Sequence, residues 1–359
     1  MCDIHTDKKR IRPGVRTVPI DEAVGSVLAH DITEIRKDEF KGRAFRKGHI
    51  VAAEDIESLR RLGKERLFVL TIADDDMHED DAAAALASAL MGKGVEADGE
   101  PKEGKITIIA AMDGILKVNK EVLLEFNMLG DVMCATLHDA TLVKKGHAVA
   151  CTRAVPLVLK REVVEKAVAI AGKTGVVEVR KLRKPQAGIV VTGSEVYTGR
   201  IKDSFATIIT GKIEEFGGEV VGMHYVPDDE CFIESRLRAL LDAGADLLIA
   251  TGGMSVDPDD VTKFAVKRLG ATGIAYGSAV LPGAMILVGY MDEQRDGQDV
   301  PIIGVPACGI YHKVTVLDLI LPRILAGERI GRKELAELGH GGLCLNCREC
   351  RFPVCPFGK

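Results

Sequence analysis

The sequence predicts an α/β protein: a doubly wound, mostly parallel sheet over residues 185–330, preceded by smaller mixed α+β domains. Three observations predict it. Short apolar runs alternate with helix-period stretches, the pattern of a parallel sheet covered on both faces. The runs Ala187-Gly188-Ile189-Val190-Val191 and Leu247-Leu248-Ile249 are apolar throughout, as in buried strands. Each run then empties into glycine, proline and carboxylates, most abruptly in "ATGGMSVDPDDVT" at 250–262.

The elements follow in order. After the strand at 187–191, Asp203 and Ser204 can N-cap a helix whose apolar positions are Phe205, Ile208, Ile209, Ile213 and Phe216, stopped by Gly217-Gly218. A strand is expected over 219–226, a helix over 230–243, a strand over 247–250 and a helix over 258–269 with Pro258 in its first turn. Strands at 285–290 and 302–305 flank the turn EQRDGQD, and a final helix is expected over 309–325, bent before Pro322. Residues 1–73 read as a mixed segment with a short helix from Asp21, a helix over 54–63 and a strand over 66–70. Residues 74–104 read as an acidic helix and linker, in which DDDMHEDD marks a solvated face or a helix N-terminus. Residues 105–180 read as a small β-rich domain with flanking helices, one of them over 162–171, and carry no catalytic constellation. Residues 331–359 read as a helix near 332–338 and a cysteine-rich tail, hinged at Gly341-Gly342.

Composition bounds the function. The 359 residues are 47% hydrophobic, enough for a large core. A net charge of −5 lacks the basic footprint of a general nucleic-acid binder. No apolar stretch reaches the roughly 18 residues of a membrane span. The N-terminus MCDIHTDKKRIRPG has no apolar signal core, so a cytoplasmic location is expected.

In open α/β sheets ligands gather outside the carboxyl ends of the strands. Four such ends can be read: Thr192-Gly193-Ser194-Glu195; Pro227-Asp228-Asp229; Thr251-Gly252-Gly253-Met254-Ser255 with Asp257, Asp259 and Asp260; and Gly304-Val305-Pro306-Ala307-Cys308-Gly309. Glycine allows close backbone approach to a ligand. N–H groups at the following helix favour a phosphate. Carboxylates accept paired donors from an aminopyrimidine or hold Mg²⁺. Taken singly, each motif is also an ordinary turn plus helix cap; Asp203-Ser204 reads first as a cap and second as a ligand contact. The set together suits a phosphorylated pterin or a nucleotide.

The stretches "VVTGSEVYTGRIKDSFATIITGKIEEFGGEV", "VPDDECFIESRLRALL" and "DLLIATGGMSVDPDDVTK" resemble the molybdopterin-binding domain shared by molybdopterin molybdenumtransferases, molybdopterin adenylyltransferases and gephyrin. The resemblance spans 185–330. "VPIDEAVGSVLAHDIT" and "FRKGHIVAAEDIESLRRLG" look like the N-terminal region of the molybdenumtransferase branch. It implies binding of molybdopterin or its adenylylated form, insertion of molybdate with Mg²⁺, and a homodimer. Residue by residue, it implies roles for the acids Glu195, Asp228 and Asp260 as the catalytic set. It implies a ligand cradle of Thr192, Gly193, Ser194, Thr251, Gly252, Gly253 and Ser255, joined by Asp203, Ser204, Asp229, Pro282, Gly283 and Pro306. Three departures stand out. The family often has Asp at Ser194, its Lys-Pro-Gly-Lys becomes Leu281-Pro282-Gly283-Ala284, and its Gly-x-Pro-Gly-Asn-Pro loop becomes Gly304-Val305-Pro306-Ala307-Cys308-Gly309. Lysines partner oxyanions, so their absence points toward pterin binding more than molybdate insertion.

Cys344, Cys347, Cys350 and Cys355 spell Cys-x2-Cys-x2-Cys-x4-Cys before Pro356. Four thiolates so spaced can close on a [4Fe–4S] cluster or on Zn²⁺. His224 reads as a packing residue, and Cys308 as a small buried one. Three functions stand open: a molybdenumtransferase-like enzyme; a non-catalytic carrier, chaperone or sensor that meets a molybdoenzyme or another maturation protein through the tail; and a nucleotide hydrolase using the same rim.

Overall fold

The computed structural model describes residues 15–36, 40–70, 75–172, 175–254, 261–295 and 297–359. The chain divides into two compact units. The first comprises Met1–Ala111, Val118–Leu137 and Lys145–Glu178; the second comprises Met112–Lys117, His138–Lys144 and Val179–Lys359. The division does not follow chain order, because two short segments of the middle region belong with the C-terminal unit. Ile115 pairs with Leu142 and Gly114 with Val143. Lys117 Nζ lies 3.1 Å from Asp139 and 3.3 Å from Glu328.

Within the first unit, a three-stranded antiparallel sheet (Val15–Pro19, Arg66–Leu70, Val27–Leu28) packs with the helix Asp55–Arg61 around Leu28, Leu59, Leu67 and Val69. Asp21-Glu22 close a single 3₁₀ turn, Ile20–Glu22, and not an α-helix. A second antiparallel sheet runs in the order Val132–Thr136, Ala148–Ala154, Lys105–Ala110, Val95–Ala97. The helix Glu79–Leu90 lays Ala83 and Ala87 against Ile106 of that sheet. The acid run therefore supplies a helix N-terminus. His78 accepts the Asp80 N–H there, and Glu79, 2% exposed, is paired with Lys47.

The second unit carries the predicted doubly wound sheet, whose elements we number from its start. These are β1 (Gln186–Thr192), α1 (Ser194–Tyr197), α2 (Phe205–Glu215), β2 (Glu219–Val226), α3 (Glu230–Asp242), β3 (Leu247–Thr251) and α4 (Thr262–Arg268). Then come β4 (Thr272–Tyr276), β5 (Leu287–Arg295), β6 (Gln298–Val305), α5 (Cys308–Tyr311), α6 (Val316–Leu325) and α7 (Arg332–Glu337). The order is β2-β1-β3-β6-β5-β4. β2, β1, β3 and β6 are parallel neighbours, and β5 runs against both β6 and β4.

The two-residue period of a strand sorts the core. Ile189, Val191, Leu247, Ile249 and Ile303 face a layer with Ile209 and Ile213 of α2 and Leu317, Ile320 and Ile324 of α6. Val190, Leu248 and Ile302 face Ile233, Leu237 and Leu241 of α3 and Ala265 and Val266 of α4. The result is three layers, with helices on both faces of the sheet.

Three expectations are corrected. The helix expected over 309–325 is two helices. His312 is extended, and Thr315 opens α6 with a capping box in which Asp318 accepts the Thr315 N–H. Pro322 sits inside α6. The edge strand β4 was not expected; it is short and contains Gly273. The tail is not a hinged appendage. Leu281 N–H donates to Gly342 O and Cys344 N–H to Leu281 O, each at 2.8 Å. Phe357 is 3% exposed in the α2/α6 core layer, with Cys344, Phe352 and Cys355 packed on it. Full burial of one such aromatic is worth about 2–3 kcal/mol.

Candidate functional site

The chain passes from β1 to β2 on one side and then from β2 back across to β3 on the other side of β1. The C-terminal ends of β1 and β3 therefore flank the topological switch point, where a doubly wound sheet opens a crevice. Thr192 and Thr251 end those two strands and are buried, as is Thr262 at the start of α4. Thr192 Oγ donates to Thr251 O at 3.0 Å, and Thr262 Oγ donates to Gly252 O at 3.0 Å. The two hydroxyl oxygens lie 3.4 Å apart. The Gly252 N–H donates to Val305 O at 3.4 Å, joining the end of β6 to the group.

Gly252 and Gly253 hold φ of 84° and 58°, in the left-handed region that favours glycine. A Cβ on Gly252 would stand 2.7 Å from Thr192 O, and one on Gly253 would stand 2.4 Å from Thr262 Oγ. The glycines are thus required by the threonine network as well as by the turn. Thr251 Oγ is buried with no hydrogen-bond partner among the described residues. A buried hydroxyl left in that state costs about 1–3 kcal/mol.

The ends of β1 and β2 are also joined. Ser194 N–H donates to Asp228 Oδ2 at 2.8 Å, and Asp228 N–H donates to Ser194 Oγ at 3.3 Å. Glu195 is exposed, and its Oε1 lies 3.1 Å from where a Gly193 Cβ would be. Among the described residues no cation pairs with Glu195 or Asp228. Asp203 accepts the N–H groups of Phe205 and Ala206 at 2.7 and 2.9 Å, so it caps α2; the Ser204 side chain makes no cap bond. Asp203 also accepts the Tyr225 hydroxyl at 3.1 Å. Partial burial first, then that carboxylate, pushes the Tyr225 phenol above its ordinary value. Asp229 caps α3 through the N–H groups of Cys231 and Phe232.

Other sequence-predicted positions fall elsewhere. Ser255 and Asp260, with Asp257 and Asp259, lie outside the described residues. Helix α4 is accordingly described from Thr262, not from 258. Pro282 and Gly283 are buried: Val316 N–H donates to Pro282 O, and a Gly283 Cβ would meet Val316 Cγ1 at 2.4 Å. Pro306 is buried at the end of β6. Cys308 is half-buried, and burial raises its thiol above the ordinary value. Thr262, Tyr225 and Tyr276, whose hydroxyl donates to Met254 O at 2.6 Å, were not singled out from sequence. The Thr262 hydroxyl directly after the acidic turn was the available signal.

The four tail cysteines are free thiols. All four line one cavity of about 350 Å³ with Tyr311, His312 and Lys313. Among the described residues, the one group of three metal-capable side chains with ligand atoms within 4.8 Å of one another is His78, Glu79 and Asp80. Among the described residues no helix is long and apolar enough to cross a membrane.

Residues 188–326 match the model of a probable molybdopterin binding domain. That segment is a molybdopterin-binding-family domain. Residues 17–71 match a domain of unknown function, DUF8806. A CinA-like protein of Mycobacterium avium is 41% identical over 83 residues, 23% of this chain and 19% of the relative. The chain thus spans about a fifth of the length of the curated relatives it matches. Among solved structures, MoaB of Thermus thermophilus is 22% identical over 40% of this chain and 94% of its own, with a TM-score of 0.33. The tungsten cofactor synthesizing protein MoaB of Pyrococcus furiosus is 17% identical over 41% and 99%, with a TM-score of 0.32.

Proposed function

We propose that the second unit binds molybdopterin at the β1/β3 switch point and serves molybdenum-cofactor biosynthesis. The observation that carries this reading is the Thr251 hydroxyl, buried at the end of β3 with no hydrogen-bond partner among the described residues. A polar ligand group would supply what it lacks. In this reading Thr192, Gly193, Ser194, Thr251, Gly252 and Gly253 cradle the phosphate and pterin, and Glu195 and Asp228 line the cleft; the resemblance adds Ser255 and Asp260, which lie outside the described residues. The chemistry of the donor set fits a ligand that carries both acceptors and amino donors.

Mg²⁺ fits less well. One oxygen of Asp228 is already held by the Ser194 N–H. The finer activity we propose is molybdate insertion into adenylylated molybdopterin by a homodimer. A second reading, a non-catalytic cofactor carrier, is favoured by the absence of lysine on either side of Pro282-Gly283.

The test is titration of the full chain and its Thr251→Val variant with molybdopterin, alongside urea unfolding. Removing an unpartnered hydroxyl stabilises the free protein by about 1 kcal/mol and weakens binding about tenfold, or about 1.4 kcal/mol. Unchanged binding removes the reading. Release of AMP from adenylylated molybdopterin in the presence of molybdate separates enzyme from carrier.

A further inference from the structure

The tail begins and ends against the second unit. Its first ligand-type residue, Cys344, donates its backbone N–H to Leu281 O, one residue before the buried Pro282-Gly283. Its far end is fixed by Phe357 in the core, and Gly358 N–H donates to Gly341 O at 3.0 Å. Between these anchors, Cys344, Cys347, Cys350 and Cys355 line a single cavity of about 350 Å³. Tyr311, His312 and Lys313 complete its wall, a few residues beyond Pro306 at the end of β6.

The donor set is four soft thiols, which select zinc or iron–sulfur centres over hard cations. The sequence separates the two: two Cys-x2-Cys steps followed by a cysteine before proline follow the ferredoxin type of ligand run, with a last gap of four. Lys313 and Arg351 line the cavity and bring positive charge to a site that four thiolates make negative.

We propose that Cys344, Cys347, Cys350 and Cys355 hold one iron–sulfur cluster in this cavity, built into the edge of the molybdopterin-family domain. Assembly takes two ferrous ions, two ferric ions and four sulfides as co-reactants, which together make the oxidised core with no further oxidant; each thiol gives up its proton as its sulfur binds iron. The proposal stands apart from the pterin reading, since its test uses no pterin.

The test is anaerobic reconstitution of the full chain with equal amounts of ferrous and ferric iron and with sulfide, then metal and sulfide analysis. The expected result is about four irons and four acid-labile sulfides per chain, with visible charge-transfer absorption bleached by dithionite. The Cys347→Ser/Cys350→Ser double variant is expected to lose more than nine-tenths of the iron, and Cys151→Ser to keep it. Location is also read without any variant. Cys347 and Cys350, both exposed in the free chain, become protected from iodoacetamide on reconstitution, while exposed Cys231 does not. One zinc per chain with no sulfide, no metal at all, or iron without protection of Cys347 and Cys350 would each overturn the proposal.

Discussion

The antiparallel sheet over 95–154 and the parallel sheet of the second unit are both well packed, yet only one presents a candidate site. In the strand Lys105–Ala110, Ile106, Ile108 and Ala110 are buried and their neighbours are not. In Leu247–Thr251 every residue is buried. The first pattern covers one face of a sheet and sends successive strand ends to opposite edges. The second covers both faces, and its crossovers return the chain so that β1, β2, β3 and β6 all end on one edge. Loops with glycine, threonine and acid are then collected by topology. The difference lies in strand direction, with core quality much the same.

The largest expected effect tests that contrast directly. Leu248→Ala and Ile108→Ala each delete a fully buried side chain, and each should cost about 3 kcal/mol in urea unfolding. Only Leu248→Ala, beside the switch point, should also weaken molybdopterin binding. Equal weakening by both would break the comparison.

Glu328→Gln sharpens the description of the second unit alone, because Glu328 pairs with Arg323 and with Lys117 of that unit's inserted segment. Burial acts to raise the Glu328 carboxyl, but Arg323 and then Lys117 outweigh it and hold the carboxyl below its ordinary value. A depressed carboxylate contributes stability above its unfolded pKa and loses it as pH falls through the folded one. The variant should cost about 2 kcal/mol at neutral pH, since Arg323 is left buried without its partner. Thermal melts should find that gap closing as pH falls below about 4.5, the ordinary carboxyl value. A gap that stays constant with pH would mean that the loss does not come from the Glu328 charge.

Gly253→Ala sharpens the description of the rim. Positive φ and the contact with Thr262 together should cost about 2 kcal/mol, whereas Gly270→Ala, with φ of 96° but open space, should cost about 1 kcal/mol. Chemical denaturation of the two variants measures the difference, and equal costs would remove the steric role of Thr262.

The smallest effect is kinetic. Because burial raises Cys308, its thiolate fraction near pH 8 is reduced and it should react with iodoacetamide several-fold more slowly than exposed Cys231. Mass spectrometry of a timed reaction reads this, and equal rates would mean that the end of β6 is open.

Much of this architecture was legible because its signals are local. Runs such as Leu247-Leu248-Ile249 announce buried strands, and Asp229 before Glu230 announces a cap. The break between α5 and α6 was legible too, since Thr315 and Asp318 form a capping box, but the apolar period across 309–325 masked it. β4 was not legible: five residues with a glycine at a sheet edge carry no period. At the rim, the meeting of Ser194 with Asp228 and of Thr192 with Thr262 depends on strand order, which no single stretch encodes. The docking of the tail was hidden for the same reason, because two glycines read as a hinge until Phe357 finds the core.

The bond from Gly358 back to Gly341 makes the intervening segment a ring. A ring has already lost the freedom that an open strand surrenders when it wraps a guest. The thiols between its ends are thus presented by the folded domain in advance. Unpinning the ring, by replacing Phe357 with a polar residue, would loosen all four sulfurs at once while altering none of them.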